Sequence, residues 1–275
     1  MNEVNAGIIG FGNMGSAIYE RMKRVCSFQV YDKEAGRTFG IPSVDIAKTL
    51  DDLLKKSDVV ILAVKPQDFE DVLKHVKFDV QKKLVISIAA GTTTGYIESR
   101  LGEDVEVIRV MPNIPAKVGK GMSCLCKGKT ASTWNLNLAE RLFKELGETL
   151  VISEGMMDAA TAVSGSGPGY LYYFLQNKQP AQWDDYAGGV FTSELIQAAV
   201  SVGFNPGQAK VLAASTAQGS LALLKETGLS AEVLRDKVTS KGGTTAAGLE
   251  VLINGGSLEE AVKAAVKRAA ELSRR

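Results

Sequence analysis

The stretch that most constrains this chain is Val4 to Gly15, VNAGIIGFGNMG. Its apolar run (Val4, Ala6, Ile8, Ile9) suits a buried parallel strand. The run ends in Gly10-Phe11-Gly12-Asn13-Met14-Gly15, a G-x-G-x-x-G, and Ser16 to Lys23 then reads as a helix. Strand, glycine turn and helix in that order form the setting that a dinucleotide fingerprint requires. Gly10 permits the tight turn, Gly12 lets the backbone approach a pyrophosphate, and Gly15 lets helix and strand pack closely. The phosphates would rest on the free N–H groups of the helix start. The next strand, Ser27 to Tyr31, ends in Asp32, 22 positions after Gly10. An acidic side chain there is placed to hold a ribose 2′-OH.

The rest of the first half repeats the alternation. A polar segment and a helix-like stretch, Ile46 to Lys55, follow Asp32. Asp58 to Val64 is a β-branched run suited to a strand covered on both faces. Lys65-Pro66 stops it, with Pro66 at the first position of a helix running to Val76. Strands are expected at Leu84 to Ala89, Val105 to Val110, Met122 to Lys127 and Thr149 to Ile152. Helices are expected at Thr93 to Leu101 and Ser132 to Leu146. This is an α/β pattern, an N-terminal Rossmann-type doubly wound sheet, open and mostly parallel. From Gly155 onward alanine and leucine dominate, β-branched runs vanish, and Leu195 to Val202 and Gln208 to Leu224 have helical periodicity. The expected division is therefore 1–154, a dinucleotide-binding domain, and 155–275, an all-helical C-terminal domain small enough for dimerisation to complete its core.

Bulk properties exclude several classes. A net charge of +1 gives no basic surface for nucleic acid and no acidic excess for solvated disorder. The basic end from Lys263 is interrupted by Ala264, Ala265, Val266, Ala269, Ala270 and Leu272, the spacing of an amphipathic helix. Apolar runs fall far short of the ~20 residues of a membrane span, and no signal peptide precedes the first strand. Cys26, Cys124 and Cys126 read as reduced thiols of a cytoplasmic protein. With His75 the only histidine, no metal site is expected.

Strand ends at Ala63-Val64-Lys65-Pro66, Ala89-Ala90-Gly91 and Met111-Pro112-Asn113 carry small or turn-forming residues that leave room for a cofactor across the sheet edge. In the second domain, Ser164-Gly165-Ser166-Gly167-Pro168 sets glycines before a proline suited to a helix start. Ser240-Lys241-Gly242-Gly243-Thr244-Thr245 precedes the helix Ala246 to Ile253. Its glycines and free N–H groups make an anion nest suited to a carboxylate; Thr244 or Thr245 could instead be simple helix caps, from physics alone the commoner outcome, and the two roles are compatible. His75 lies within the Gln67 to Val76 helix and reads as a surface residue. Oxidising an alcohol usually needs a general base beside the substrate carbon. An iminium already carries its proton and accepts hydride directly, so a site without histidine fits C=N reduction better than C=O chemistry.

These residues resemble the pyrroline-5-carboxylate reductase family. The likeness runs through Ile9 to Gly15, Ala63 to Gln67, Ala89 to Gly91, Met111 to Asn113, Ser164 to Pro168 and, most specifically, LRDKVTSKGGTTAAGL from Leu234 to Leu249. The resemblance implies NAD(P)H-dependent reduction of 1-pyrroline-5-carboxylate to L-proline, the last step of proline biosynthesis. It implies an interlocked homodimer built by the C-terminal domain, often assembled further into decamers. By position, Gly10, Phe11, Gly12, Asn13 and Met14, then Ala63, Val64, Lys65 and Pro66, then Ala89, Ala90 and Gly91, would line the cofactor. Ser240, Gly242, Gly243 and Thr244 would hold the substrate carboxylate, and Thr245 would hydrogen-bond the imine nitrogen. Of the two cofactors, Asp32 favours NADH over NADPH, with Lys33 and Arg37 close by in sequence to counter it.

Three departures from the family pattern stand out. Lys241 replaces a usual proline and Gly169 a usual alanine. After Phe174-Leu175 the family's helix would run directly into a stretch like Glu194 to Ala199, but here Gln176 to Ser193 intervene. Pro180, Trp183, Asp184-Asp185 and Gly188-Gly189 suit a loop, so an insert at about 176–193 is expected to form a surface excursion at the family's dimer interface. Two rivals share parts of this pattern. A β-hydroxyacid dehydrogenase would need a K-x-x-x-N helix motif, of which there is no convincing copy. A catalytically silent dinucleotide-sensing module would not need the Ser240 to Thr245 nest.

Overall fold

The computed structural model describes residues 4–77, 80–102 and 104–273. The chain divides into two compact units, Met1–Val110 with Leu125–Leu146, and Met111–Cys124 with Gly147–Arg275. The compositional boundary near Glu154 falls inside the second of these.

Seven strands, β1 (Val4–Ile9), β2 (Cys26–Tyr31), β3 (Val59–Leu62), β4 (Leu84–Ser87), β5 (Glu106–Pro112), β6 (Gly121–Lys127) and β7 (Gly147–Val151), lie in the order β2-β1-β3-β4-β5-β6-β7. The pairs from β2 to β5 are parallel. Between β5 and β6, Gly128 N–H donates to Val107 O and Asn113 N–H to Met122 O, so the numbering runs in opposite directions and this pair is antiparallel. Burial explains the sequence pattern, because every residue of β3 and β4 is inside. The order reverses at β1, between β2 and β3, which makes the carboxyl ends of β1 and β3 the switch point where doubly wound sheets bind ligands.

The first unit adds α1 (Asn13–Met22), α2 (Leu50–Lys55), α3 (Pro66–Val76), α4 (Thr94–Leu101) and α5 (Thr133–Phe143). The stretch expected to be helical from Ile46 becomes so only at Leu50, because the Thr49 side chain caps α2 by accepting from Asp52 N–H at 3.1 Å. Ser43–Asp45 before it is a short 3₁₀ turn. One core fills the space between strands and helices, including Ile9, Leu53, Leu62, Leu73, Ile97 and Val107.

The second unit is helical beyond its strands: α6 (Met157–Ala160), α7 (Gly167–Leu175), α8 (Trp183–Asp185), α9 (Thr192–Ser201), α10 (Pro206–Thr227), α11 (Ala231–Val238), α12 (Thr244–Ile253) and α13 (Leu258–Ser273). The longest, α10, has Asn205 and Gln208 in a reciprocal capping box, Pro206 in its first turn and Gly228 in the left-handed conformation at its end. Segment 176–193 is largely exposed, but it is built from short helical turns rather than an open loop. After a turn at 176–179, Pro180–Gln182 is a 3₁₀ turn, α8 follows, and Tyr186–Phe191 is a π-helical turn that runs straight into α9. Pro180 sits where a helix start tolerates it, and the wider π turn takes up Gly188-Gly189. Within it Ala187 and Phe191 are buried and anchor the segment, whereas Pro180, Asp184, Gly188 and Gly189 are exposed.

Candidate active site

The first half-site is the carboxyl edge of the sheet in the first unit. Gly10 N–H donates to Tyr31 O and Ala63 N–H to Ile9 O, both at 2.8 Å, so the ends of β1, β2 and β3 are level. Gly10 has φ +97°, and a Cβ there would lie 2.6 Å from Ala63 O. At Gly15 a Cβ would lie 2.1 Å from Gly10 O, so the turn and the helix contact both demand glycine. At Gly12 a Cβ would meet only Arg37 Nη1, at 3.9 Å, which leaves that face open. Gly12 is the N-cap of α1 and no side chain caps it, so the first N–H groups, from Asn13 and Met14 onward, point into a ready anion site. The loop thus fits a dinucleotide pyrophosphate. Phe11 is buried, its ring 5.7 Å from that of Tyr19.

Asp32 stands at the end of β2 with its side chain 5% exposed. Its Oδ2 accepts from Phe11 N–H at 2.6 Å and its Oδ1 from Glu34 N–H at 2.8 Å. Two of the four lone-pair positions of the carboxylate remain for a diol. Of the two neighbouring cations, Lys33 is engaged elsewhere and Arg37 is shared between Glu34 and Asp32. Arg37 forks onto Glu34 at 3.0 and 2.8 Å, with Nη1 3.8 Å from Asp32, while Lys33 pairs with Asp68 at 2.6 Å. Ala63 and Val64 leave β3 half-buried, Lys65 is the uncapped N-cap of α3, and Pro66 begins that helix. Ala89, Ala90 and Gly91 leave the edge after β4, where Gly91 has φ +72°. All the residues expected to line the cofactor therefore fall in this unit and follow β1, β2, β3 or β4.

The second half-site lies wholly in the second unit. Gly243, not a threonine, is the N-cap of α12, and no side chain caps that helix. The Thr244 and Thr245 hydroxyls instead meet Ser166: Thr244 Oγ1 is 3.0 Å from Ser166 Oγ, and Thr245 Oγ1 donates to Ser166 Oγ at 3.1 Å. Thr245 is 5% exposed and Ser166 fully buried. The free N–H groups at the start of α12 are therefore available to an anion, beside a buried pair of hydroxyls. Ser240 and Gly243 form a turn, Gly243 N–H donating to Ser240 O at 3.0 Å. Gly242, with φ +67°, offers its carbonyl to Arg268 Nε on α13 at 2.7 Å, which ties the loop down.

Ser166 is the residue that sequence reasoning left without a role. A π-helical turn at Thr161–Gly165 delivers it, and Ser166 N–H donates to Thr161 O at 2.9 Å. Its only sequence signal is its place in the SGSGP stretch. Asn113 supports that stretch, with Nδ2 donating to Ser164 O at 3.2 Å and Oδ1 accepting from Met122 N–H at 2.8 Å. The Tyr170 hydroxyl is buried over Gly248, and that burial pushes its pKa far above the usual tyrosine value. Burial, then the Lys237 charge, lowers the pKa of Lys117. His75 is on the surface of α3, 3.3 Å from Asp51. Among the described residues, no group of three or more His, Cys, Asp or Glu is placed to hold a metal, and no helix is long and apolar enough to cross a membrane. All three cysteines are buried.

A doubly wound sheet with an open glycine turn at its switch point, in a chain that also carries an uncapped helix start beside buried hydroxyls, has the fold of an NAD(P)-dependent oxidoreductase. Residues 5–91 match the family model described as NADP oxidoreductase, coenzyme F420-dependent, and residues 189–275 match that of pyrroline-5-carboxylate reductase dimerisation. The chain is 34% identical over 282 residues to pyrroline-5-carboxylate reductase of Glycine max, covering 97% of this chain and 95% of that one. Among solved structures, a pyrroline-5-carboxylate reductase from Coxiella burnetii matches with TM-score 0.66 and 30% identity, covering 100% of both chains. The Plasmodium falciparum pyrroline carboxylate reductase with NADP bound matches with TM-score 0.63 and 27% identity, covering 99% of both. The chain belongs to the pyrroline-5-carboxylate reductase family.

Proposed function

We propose that this chain reduces 1-pyrroline-5-carboxylate to L-proline with a reduced nicotinamide dinucleotide, and that NADH is the better donor. The observation that carries the reading is the start of α12, where uncapped N–H groups stand beside the buried Ser166–Thr245 hydroxyl pair. Ser240, Gly242, Gly243 and Thr244 form the loop that holds the substrate carboxylate. The donors are the free main-chain N–H groups of the first turn of α12, with the positive end of its dipole, while Gly243 N–H is spent on Ser240 O. Thr245 points its hydroxyl at the imine nitrogen, and Ser166, bonded to both threonines, fixes that hydroxyl's direction. The bound nicotinamide supplies a hydride to the C=N carbon, and the product nitrogen keeps the proton that the iminium brought. No histidine or metal is needed for that balance.

The cofactor is assigned to Gly10, Phe11, Gly12, Asn13 and Met14, with Ala63 to Pro66 and Ala89 to Gly91 along the edge and Asp32 on the ribose. The preference for NADH rests on Asp32: Lys33 is paired with Asp68, and Arg37 forks onto Glu34 and reaches Asp32 only at 3.8 Å. A 2′-phosphate would meet a carboxylate only partly compensated by Arg37. We further assign residues 1–154 to the cofactor and 155–275 to substrate binding and homodimerisation, with decamers a further step of assembly, in a cytoplasmic protein without nucleic-acid or membrane partners. The test is the purified chain with pyrroline-5-carboxylate and each dinucleotide. Imine-dependent oxidation that yields proline supports the reading. Dinucleotide binding without imine-dependent oxidation favours a silent sensor, and oxidation of a hydroxy acid favours a dehydrogenase.

A further inference from the structure

We propose that the segment 176–191 closes the substrate half-site within one chain, so that each copy supplies both Ser166 and Thr245 of its own site. The proposal takes from the preceding reading only what the half-site holds. Its geometric basis is independent of the reaction.

Segment 176–191 reverses the chain. The ring of Phe174, near the end of α7, lies 6.4 Å from that of Phe191, and a Cβ on Gly167, at the start of α7, would lie 3.6 Å from Leu195 Cδ2. Numbers rise along α7 while their neighbours' numbers fall, so α9 runs back beside α7. α9 packs on α10 and α13, α13 on α12, and α12 on α7, so the reversal returns the start of α12 to the start of α7. Ser166 meets Thr244 and Thr245 there.

The reversal is built from specific contacts. Arg235 on α11 donates from Nη1 to Gln176 Oε1 at 2.5 Å. Trp183 Nε1 donates to Lys178 O at 3.2 Å, Lys178 Nζ sits 4.3 Å from the centre of the Tyr186 ring, and Lys225 pairs with Asp184 at 2.7 Å. Phe174 packs on both Tyr186 and Phe191. If α7 ran directly into α9 without residues 176–191, Leu195 would stand roughly 18 Å along the helix from Gly167 rather than beside it, at 1.5 Å per residue. α9 and the helices packed on it would then leave Ser166, and only another copy could present a Thr245 to it.

Gly169 supplies a second observation. A Cβ there would lie 2.5 Å from Thr245 Cγ2 and 3.1 Å from Val238 Cγ2. The volume of a methyl group on α7 has been given up, and this chain's own Thr245 fills it.

The test replaces the touching hydroxyls with thiols, Ser166→Cys with Thr245→Cys, in the full chain. After mild oxidation the products are compared on a non-reducing gel with the wild type and with both single-substitution variants, so that links made by the three native cysteines are seen separately. The proposal expects a link inside one chain, seen as a faster-migrating monomer band that reduction abolishes. A covalent dimer specific to the double variant would overturn it, and so would the absence of any link. This readout needs no activity, so an inactive wild type would count against the reaction and leave the closure still tested. Where the wild type is active, Ser166→Ala and Thr245→Ala are co-expressed. The proposal expects activity no higher than that of the variants expressed alone. Recovery to about a quarter of wild type, the share of intact sites in randomly mixed two-fold pairs, would show that the site is shared between copies.

Discussion

Gly169→Ala tests how tightly α7 is fitted to the site. The new methyl would lie 2.5 Å from Thr245 Cγ2, and restoring ordinary carbon–carbon contact needs a displacement of about 1 Å. Alanine in place of glycine inside a helix gains about 1 kcal/mol, whereas forcing a methyl into a filled space costs about 1–3 kcal/mol. Global stability should therefore fall by no more than roughly 2 kcal/mol. Catalysis should fall much further. Thr245 Oγ1 is held 3.1 Å from Ser166 Oγ, and a misplacement of about 1 Å can lower turnover on the order of 100-fold. Denaturant unfolding and steady-state kinetics on one preparation separate the two effects. Adding Thr245→Ser removes the clashing methyl and keeps the hydroxyl, so the double variant should recover most of the lost kcat. A Gly169→Ala variant with wild-type kcat, or a double variant no better than the single, would refute the reasoning.

Thr245→Ala should lower kcat while leaving dinucleotide affinity unchanged, because Thr245 and the glycine turn belong to different units; a matched loss of NADH binding in a fluorescence titration would contradict this. Asp32→Ser should narrow or reverse the preference for NADH. Like charges a few ångströms apart cost on the order of 1 kcal/mol, about fivefold in kcat/KM; wild-type kcat/KM for NADPH at or above that for NADH would show that Arg37 outweighs the carboxylate. Arg268→Met removes the hydrogen bond to Gly242 O, so substrate KM should rise roughly tenfold for a charge-assisted bond of about 1.5 kcal/mol, with kcat less affected. An unchanged KM would show that the loop holds its shape without α13.

What was legible in the sequence was what local chemistry decides. The glycine turn after β1 was readable because Gly10 and Gly15 answer to contacts within a few residues of strand and helix. The strands β3 and β4 were readable because burial on both faces leaves a continuous apolar run. The nest before α12 was also readable, but its competing caps were not resolvable: Thr244 and Thr245 could have served the helix until the structure placed Ser166 beside them, 78 and 79 positions away in the chain. Ser166 itself carries no local mark of that role. Segment 176–191 misled because proline and paired glycines usually signal a loop. Proline is tolerated in a first turn, and the aromatic packing of Phe174, Tyr186 and Phe191 anchors a largely exposed segment as short helical turns instead of an open loop. Which of these rings meet is decided by the fold, and their spacing along the chain does not announce it.

The most direct measurement of the central claim follows the hydride. The purified chain is given pyrroline-5-carboxylate and NADH deuterated at nicotinamide C4 on the transferred face, and the product is read by mass spectrometry and NMR. The account predicts proline carrying one deuterium, at the ring carbon that was the C=N carbon, formed in step with oxidised dinucleotide. Dinucleotide oxidised without labelled proline, or proline labelled elsewhere or not at all, would contradict it.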